Sequence, residues 1–170
     1  MPVLKKCTLS DAPQLLQLAR RTFVEAFEKD NNPEDFAEYL ETVFTLSGME
    51  AQLSNPDCLF YFVFNREHLV GYFKLNRGPA QTDLRDDTAL ELERIYVDGT
   101  FQGQGIGKWM LLQAIDIAQT AKLTSIWLGV WQRNTNAIRF YERLGFKKFG
   151  SHPYWIGNDK QTDWLYRLEL

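Results

Sequence analysis

The sequence predicts an α/β protein in which helices cover a sheet, and three observations indicate this class. The first half has three segments with helical periodicity, followed by two apolar strands joined by a polar turn. The second half alternates a strand, ALELERIYV (89–97), a helix, a strand, TSIWLGVW (124–131), and a helix. FKKFGSHPYWI and DWLYRLEL then complete the chain as two strands. Such an order is typical of a sheet packed between helices.

Apolar spacing and capping residues give the boundaries of these elements. Ser10 is predicted to cap the first helix, Asn32 before Pro33 to open the second, and Ser47 with Glu50 to form a capping box for the third. In chain order the predicted elements are an edge strand at 3–7, a helix to about Phe27, a helix from Pro33, a short third helix, hairpin strands at 58–64 and 69–75, the strand at 89–97, a helix to about Thr120, the strand at 124–131, a helix capped by Asn134 and ended by Gly145, and the two final strands.

Length and composition narrow the class of protein. The 170 residues favour a single domain spanning 1–170, with 45% hydrophobic and 24% charged residues, as in soluble globular proteins. No apolar run approaches the ~20 residues of a membrane span, and MPVLKKCTLS lacks a signal-peptide core, so we expect a cytoplasmic protein without a membrane partner. The net charge of -3 argues against a nucleic-acid surface and favours a cationic small partner.

The cysteines and histidines carry no metal-binding or catalytic pattern. Cys7 and Cys58 have no metal-ligand spacing, and we interpret them as reduced core thiols. His68 and His152 are expected at solvated turn or edge positions. The sequence therefore predicts no metal site.

The stretch FQGQGIGK (101–108) places three glycines at alternate positions between a strand and a helix. The dinucleotide fingerprint would need glycine at 108, where Lys108 stands, and the ATP P-loop would need glycine at 102, where Gln102 stands. What remains is a glycine loop at a helix N-terminus, which presents backbone N–H groups at the positive end of the helix dipole. The pattern predicts a phosphate-binding loop, with a flexible strand-to-helix turn as the alternative.

The strand before this loop changes phase. Leu90 and Leu92 alternate with acidic residues, but the apolar positions then move to Ile95 and Val97. Because a strand has a side-chain period of two, one extra residue must be present, and we predict a β-bulge near Arg94. A bulge there would turn the strand away from 124–131 and expose backbone groups to an extended ligand with amide groups.

Two motifs resemble the GNAT superfamily of acetyl-CoA-dependent N-acetyltransferases. Gln102, Gly105 and Gly107 match its Gln/Arg-x-x-Gly-x-Gly/Ala loop, and NTNAIRFYERLGF (134–146) matches its Asn-x-x-Ala-x-x-Phe-Tyr-x-x-x-Gly-Phe segment. The chain is most similar to PaiA-type polyamine acetyltransferases, notably in ELERIYV, IWLGVW and SHPYWIGNDKQTDW. The resemblance implies a mixed, mostly antiparallel sheet that is splayed at its fourth and fifth strands and flanked by helices.

The resemblance also implies an acetyl-CoA site without a metal. The loop amides would hold the pyrophosphate, the backbone of the bulged strand the pantetheine arm, and Asn134 a point along that arm. The residues that this assigns to acetyl-CoA are Ile95, Tyr96, Val97, Gln102, Gly103, Gln104, Gly105, Ile106, Gly107, Lys108, Asn134 and Tyr141.

Acetyl transfer to an alkyl amine needs a group that removes a proton, since such an amine is almost wholly protonated at pH 7. Glu93 aligns with a carboxylate used in this way in related polyamine acetyltransferases. Glu91, two residues earlier and so on the same face of the strand, is the reserve candidate. The departing CoA thiolate would benefit from a proton donor. The family match assigns this role to Tyr141, although helical spacing alone favours a packed core tyrosine.

The sequence therefore predicts an N-acetyltransferase that acts on a small-molecule amine such as spermidine or spermine, by direct attack in a ternary complex. Acetylation of protein or peptide amines, and a regulatory protein that binds acetyl-CoA, remain alternatives, and the oligomeric state stays open, with a homodimer as one option. Tyr154 and Trp155 are interpreted as packing residues, with a wall over the acceptor amine as the alternative. The carboxylates predicted near the acceptor are Glu28, Asp30, Glu34, Asp35, Asp83, Asp86 and Asp87.

Overall fold

The computed structural model describes residues 1–170 and contains one seven-stranded sheet with strand order β1-β2-β3-β4-β5-β7-β6. Neighbouring strands are antiparallel except β4 and β5, which are parallel. This confirms the α/β class and the mixed, mostly antiparallel sheet. The strands are β1 (Pro2–Lys6), β2 (Cys58–Asn65), β3 (His68–Asn76), β4 (Ala89–Val97), β5 (Ser125–Trp131), β6 (Lys147–Ile156) and β7 (Asp159–Glu169), and the helices are α1 (Ala12–Phe27), α2 (Pro33–Val43), α3 (Leu46–Ser54), α4 (Ile106–Thr120) and α5 (Thr135–Arg143).

The helix starts agree with the sequence where proline or asparagine sets them. Asn32 accepts hydrogen bonds from the N–H groups of Glu34 and Asp35, and Asn134 accepts one from Ala137. The capping residue predicted for α1, Ser10, is wrong. Ser10 lies inside a 3₁₀ turn, Leu9–Asp11, and the Asp11 carboxylate instead accepts a hydrogen bond from Thr8 N–H at 2.8 Å.

The cap of α3 is also corrected. Thr45, not Ser47, precedes the helix, and its hydroxyl accepts a hydrogen bond from Gly48 N–H at 3.1 Å. At the C-terminus of the chain, β7 begins at Asp159 instead of 163, because the polar stretch after Gly157 pairs with β6 across a tight turn. Polar residues in a hairpin arm carry little hydrophobic alternation, so the pattern underestimates the length of this strand.

The two faces of the sheet bury separate cores. One face packs against α4 and α5 and includes Leu90, Leu92 and Met110, while the other packs against α1–α3 and includes Phe23 and Phe62. Cys7 is buried and Cys58 is half-buried, and both are free thiols. None of the helices is both long enough and apolar enough to cross a membrane.

The phase change in β4 is a β-bulge, as predicted. Lys74 of β3 faces Arg94, but the next residue, Leu75, faces Leu92, so Glu93 is the extra residue. Beyond this point the sheet opens. Parallel pairing of β4 with β5 covers only Ala89–Glu91 and Ser125–Trp127, which leaves the rest of the facing edges apart and confirms the splay at the fourth and fifth strands.

Candidate active site

A cleft of about 1360 Å³ occupies the gap where β4 and β5 separate. Residues of both strands, of α1 and α2 and of the β6–β7 hairpin line it, together with the start of α4 and one face of α5. An extended ligand entering the gap would therefore meet backbone on two sides and side chains from four helices and the adjoining loops, which is the form expected of a binding site.

The glycine loop forms one end of this cleft. Gly103 and Gly105 have φ of +77° and +79°, in the left-handed region that favours glycine, and a Cβ at either position would have no neighbour within 4 Å. The backbone hydrogen bonds of α4 begin with Trp109 N–H to the Gly105 carbonyl, so the amides of residues 103–108 have no backbone acceptor. A row of free N–H groups at a helix N-terminus suits a phosphate or pyrophosphate.

The open edge of β4 continues from this loop. Tyr96 and Val97 pair with β3 on one side, and the side that faces β5 has no strand partner. Gln102 donates to the Val97 carbonyl at 3.1 Å and so fastens the loop to the end of the strand. Asn134, across the gap, uses its side-chain oxygen to cap α5 and lines the cleft. Apart from the Val97 carbonyl, the backbone groups on the β5-facing side of this segment have no strand partner and can bind the amide groups of an extended ligand.

Tyr141 lies on α5 with its ring packed against Phe140 and Phe146, at centroid distances of 5.3 and 5.7 Å. The residue is buried but lines the cleft, and its hydroxyl has no hydrogen-bond partner in the protein. Burial raises the pKa of this hydroxyl above its ordinary value. Tyr141 therefore holds its proton at all physiological pH values, which a proton donor requires.

Glu93, the bulge residue, lines the cleft with its side chain 22% exposed. Its Oε2 atom forms an ion pair with Lys74 and accepts a hydrogen bond from Asn76 at 2.7 Å. Arg94 Nε lies 3.8 Å from Oε1. Burial acts to raise the pKa of Glu93, but Lys74, Arg94 and Asn76 outweigh it and hold the pKa below the ordinary glutamate range. Glu93 is therefore ionised at neutral pH.

Glu91, the reserve candidate, is more enclosed. It is 2% exposed and accepts hydrogen bonds from Asn76 at 3.0 Å, from Thr82 N–H at 2.8 Å and from the Thr82 hydroxyl. Burial raises the pKa of Glu91, although these hydrogen bonds act in the opposite direction. Both of its oxygens are occupied by protein donors, so Glu93 is the carboxylate with an atom left for a ligand.

Most of the residues predicted to contact acetyl-CoA share this cleft. Gln104 and Lys108 are exceptions, since both are exposed at the rim and do not line it. Glu93, predicted as the catalytic carboxylate, also lines it. The lining residues among those predicted to contact acetyl-CoA are Ile95, Tyr96, Val97, Gln102, Gly103, Gly105, Ile106, Gly107, Asn134 and Tyr141.

The predicted acceptor carboxylates are mostly misplaced. Of the set, Asp83 alone lines the main cleft, and Asp30 lines a cavity of about 230 Å³ that adjoins the cleft at Phe27, Trp131 and Asn134. Glu34 and Asp35 belong to the first turn of α2, where acidic side chains complement the helix dipole. Asp86 accepts from the N–H and hydroxyl of Thr88 within its own loop. The residues found outside the main cleft are Glu28, Asp30, Glu34, Asp35, Asp86 and Asp87.

His152 lies on the edge strand β6, as predicted, but it is half-buried rather than solvated, whereas His68 is exposed as expected. His152 lines the cleft, with Nδ1 at 2.8 Å from Asp83 and Nε2 at 3.7 Å from Asp163. Asp163 and Asp83 together raise the pKa of His152 to about 9, although burial acts to lower it. An imidazolium therefore links the 81–88 loop to the β6–β7 hairpin at neutral pH.

The aromatic pair after His152 divides between two roles. Tyr154 lines the cleft, and its hydroxyl lies 2.5 Å from that of Tyr39 on α2. Trp155 points away and is 54% exposed, so the packing role predicted for it is wrong. Alternate residues of a strand face opposite sides, and β6 is the outermost strand of the sheet, so one of these neighbours has no layer to pack against.

Two residues of β3 at the site were not identified from the sequence. Lys74 and Asn76 are both buried and both contact the β4 carboxylates. The sequence pattern that could have identified them is LVGYFKLN, in which two polar residues at alternate positions share one face of an otherwise apolar central strand. Such a face must supply partners for polar groups. No group of three or more His, Cys, Asp or Glu side chains is arranged to hold a metal ion.

Comparison with known proteins shows the family of the chain. The Acetyltransferase (GNAT) family matches residues 13–146, and the chain belongs to this family. Over 160 residues it is 36% identical to a protein of Lactobacillus delbrueckii subsp. lactis named as an uncharacterised N-acetyltransferase in the pepI 3′ region, a match that covers 94% of this chain and 92% of the relative. The chain is thus an N-acetyltransferase of the GNAT family, which confirms the resemblance seen in the sequence.

Two further comparisons concern polyamine-related proteins. Over 80 residues the chain is 34% identical to the spermine/spermidine N(1)-acetyltransferase of Bacillus subtilis, covering 46% of this chain and 53% of that one. The PaiA N-acetyltransferase from Thermoplasma acidophilum, solved in complex with coenzyme A, superposes with a TM-score of 0.79 at 20% identity and covers 100% of this chain and 99% of that one. At this identity the superposition shows a shared fold.

Proposed function

We propose that this N-acetyltransferase transfers the acetyl group of acetyl-CoA to a primary amine of a small molecule, by direct attack in a ternary complex. One observation carries the proposal. A single cleft joins a loop of free amides, an open strand edge, a protonated Tyr141 and an ionised Glu93. Pyrophosphate, amide, leaving-thiolate and ammonium groups each have a suitable partner there.

The chain's own groups fit the parts of acetyl-CoA. The amides of residues 103–108 would hold the pyrophosphate, because nothing else in the protein accepts their hydrogens. The β5-facing edge of Ile95–Val97 would pair with the pantetheine amides, with Asn134 opposite. When bound, acetyl-CoA supplies the activated acyl group, and the separation of β4 and β5 leaves a cleft in which the arm that carries this group would lie.

Two side chains would manage protons during transfer. Glu93 Oε1 has no hydrogen-bond donor in the protein, and it would accept a hydrogen bond from the incoming ammonium, directly or through water, and take its proton as attack begins. Tyr141 would donate its proton to the leaving sulfur, and the second proton that the nitrogen loses on becoming an amide would restore Tyr141, directly or through water. Neither step requires a covalent bond to the enzyme.

Replacing Gly105 with Asp tests the loop. The substitution places a carboxylate where the pyrophosphate is proposed to lie and imposes a left-handed φ of +79° on a residue with a side chain. We expect acetyl-CoA binding, measured by calorimetry, to weaken by about 2 kcal/mol or more through repulsion and lost charge-assisted hydrogen bonds.

Gly105→Asn is the matched control, because asparagine has the same shape, tolerates left-handed backbone and carries no charge. It should weaken binding less than Gly105→Asp. Unchanged affinity in a folded Gly105→Asp protein would contradict the assignment of the loop.

As the acceptor we propose a polyamine such as spermidine or spermine. The name of the Bacillus relative supports this choice, as does the placement of Asp83 and Asp163 in the cleft in addition to Glu91 and Glu93. A flexible polycation needs carboxylates beyond the reacting nitrogen. His152 already neutralises part of this charge, so we expect the remaining selectivity to be the sum of several weak contacts.

An acceptor panel tests this choice. Spermidine and spermine should have a higher kcat/KM than monoamines of similar reach, and their KM should rise with ionic strength because salt screens exposed charges. Equal, salt-insensitive values would exclude a polyamine while leaving acetyl transfer intact. A preference for peptide amines would favour a protein or peptide acetyltransferase, and binding of acetyl-CoA without turnover of any amine would favour a regulatory role.

A further inference from the structure

Asn76, the last residue of β3, joins the two carboxylates of β4. It is fully buried and stands opposite Glu91 in the sheet register. Its Nδ2 atom donates to Glu91 Oε2 at 3.0 Å and to Glu93 Oε2 at 2.7 Å. A side-chain amide has two N–H hydrogens, so each carboxylate receives one and the amide has no further donor to give.

The orientation of the Asn76 amide leaves one buried polar atom without a hydrogen-bond partner. Asn76 Oδ1 is buried and has no hydrogen-bond partner. Rotating the amide by half a turn would place this oxygen against two carboxylates and lose both donated bonds. Buried polar atoms without partners are uncommon and call for an explanation, and here the explanation is that both N–H groups are committed to the carboxylate pair.

The two carboxylates differ in how many of their oxygens receive hydrogen bonds from the protein. Glu91 receives donors on both oxygens, from Asn76 and Thr82, and is almost completely enclosed. Glu93 receives Asn76 and Lys74 on Oε2 alone. The contact of Arg94 Nε with Oε1, at 3.8 Å, is too long for a hydrogen bond. Oε1 is left as the free atom of the pair, on the side chain that is exposed to the cleft.

We propose that Asn76 is a positioning residue for acetyl transfer, which holds Glu93 by Oε2 so that Oε1 faces the acceptor amine. Glu91 serves as the fixed second anchor of the same amide, tied through Thr82 to the 81–88 loop. This inference rests on the proposed function, in which Glu93 receives the amine proton. Asn76 itself does not contact the substrate, and it acts through the geometry and the proton affinity of Glu93.

The surroundings of the pair make this effect measurable. The charged and titratable groups that face it are Lys74 of β3, Arg94 of β4 and Cys58 of β2, with the hydroxyls of Tyr72 and Tyr39 beyond Arg94. Asn76 is among the groups that lower the pKa of Glu93. Removing its donor must therefore raise that pKa, whereas a loss of packing alone would have no such directed effect.

The test replaces Asn76 with Leu, which has a similar size and no donor. In the titration of the ¹³C-labelled Glu93 carboxyl, assigned with Glu93→Gln, we expect the pKa to rise by about one unit, as expected for a lost hydrogen bond to a charged group. The acidic limb of the kcat/KM profile should move to higher pH by the same amount, and kcat should fall about tenfold with little change in acetyl-CoA affinity. Asn76→Ser keeps one donor in a smaller side chain and should give an intermediate shift.

Asn31→Leu is the matched control for removal of a half-buried amide that has no hydrogen bond to either carboxylate or to the 81–88 loop. Asn31 donates to the Phe27 carbonyl at 2.7 Å and accepts from Gln161 at 2.6 Å, so its loss should lower Tm without moving the Glu93 pKa. A wild-type Glu93 pKa in folded Asn76→Leu and Asn76→Ser proteins would overturn the inference. Absence of amine acetylation by the wild-type enzyme would instead contradict the proposed function, and the carboxyl titration separates the two failures.

Discussion

Replacing Tyr141 with Phe is expected to lower kcat by about 10² or more, in the range of general-acid effects. Only the hydroxyl is removed, and the ring contacts with Phe140 and Phe146 remain, so fold and acetyl-CoA affinity should be kept. Because burial raises the pKa of Tyr141, the wild-type enzyme should keep its proton donor to high pH. We expect no loss of kcat from this residue below the ordinary tyrosine pKa of about 10.

Tyr166→Phe provides the control for this substitution. Tyr166 is another buried tyrosine of the same core, and its hydroxyl donates to Glu142 at 3.0 Å. Its loss should lower the free energy of unfolding and leave kcat near the wild-type value. If the two variants lose kcat equally, Tyr141 has a packing role and the general-acid assignment is wrong.

Replacing Glu93 with Gln should also lower kcat/KM by about 10² at neutral pH, but this loss should shrink as pH rises. At high pH the amine loses its proton to solvent and no longer needs the carboxylate. In the wild-type enzyme Glu93 stays ionised down to acidic pH, since its pKa lies below the ordinary range. Between about pH 7 and 10 the wild-type kcat/KM should therefore vary little, because Glu93 takes the amine proton, whereas kcat/KM of Glu93→Gln should rise with the fraction of free amine.

The pH profiles of two variants check this assignment. Glu38→Gln removes an exposed carboxylate of α2 and should leave the profile unchanged. The Glu93→Gln profile should be steeper than that of the wild-type enzyme and approach it at the alkaline end. A pH-independent loss, equal in size to that of Tyr141→Phe at every pH, would contradict the division of roles between the two residues.

The parts of the site that the sequence predicts are those built from neighbouring residues. The glycine loop was identified because residues 101–108 contain both the strand-to-helix turn and its free amides. The bulge was identified because its phase change lies within nine residues of one strand. Local backbone geometry depends on local residue types, so a single sequence is enough for these features.

The parts that were missed depend on contacts between distant segments. Glu93 meets Asn76, 17 residues away, and His152 meets Asp83, 69 residues away. A polar residue in a buried strand indicates that a partner exists but does not say which one. The prediction of the acceptor carboxylates was mostly wrong for the same reason. The sequence identifies the acidic segments but not where they lie relative to the cleft. The predicted capping residues of α1 and α3 were wrong because several Ser, Thr and Asp residues that could cap each helix lie within two or three positions of one another.

The central claim is that this cleft transfers an acetyl group from acetyl-CoA to an amine, and the most direct measurement follows both products in one reaction. Purified protein is mixed with acetyl-CoA and spermidine, and free CoA thiol and acetylated amine are quantified by thiol reagent and mass spectrometry. The account predicts one acetylated amine per thiol released and no acetylated enzyme, with both products strongly reduced in Tyr141→Phe. Thiol release without acetylated amine for any acceptor, or equal product formation by Tyr141→Phe, would contradict it.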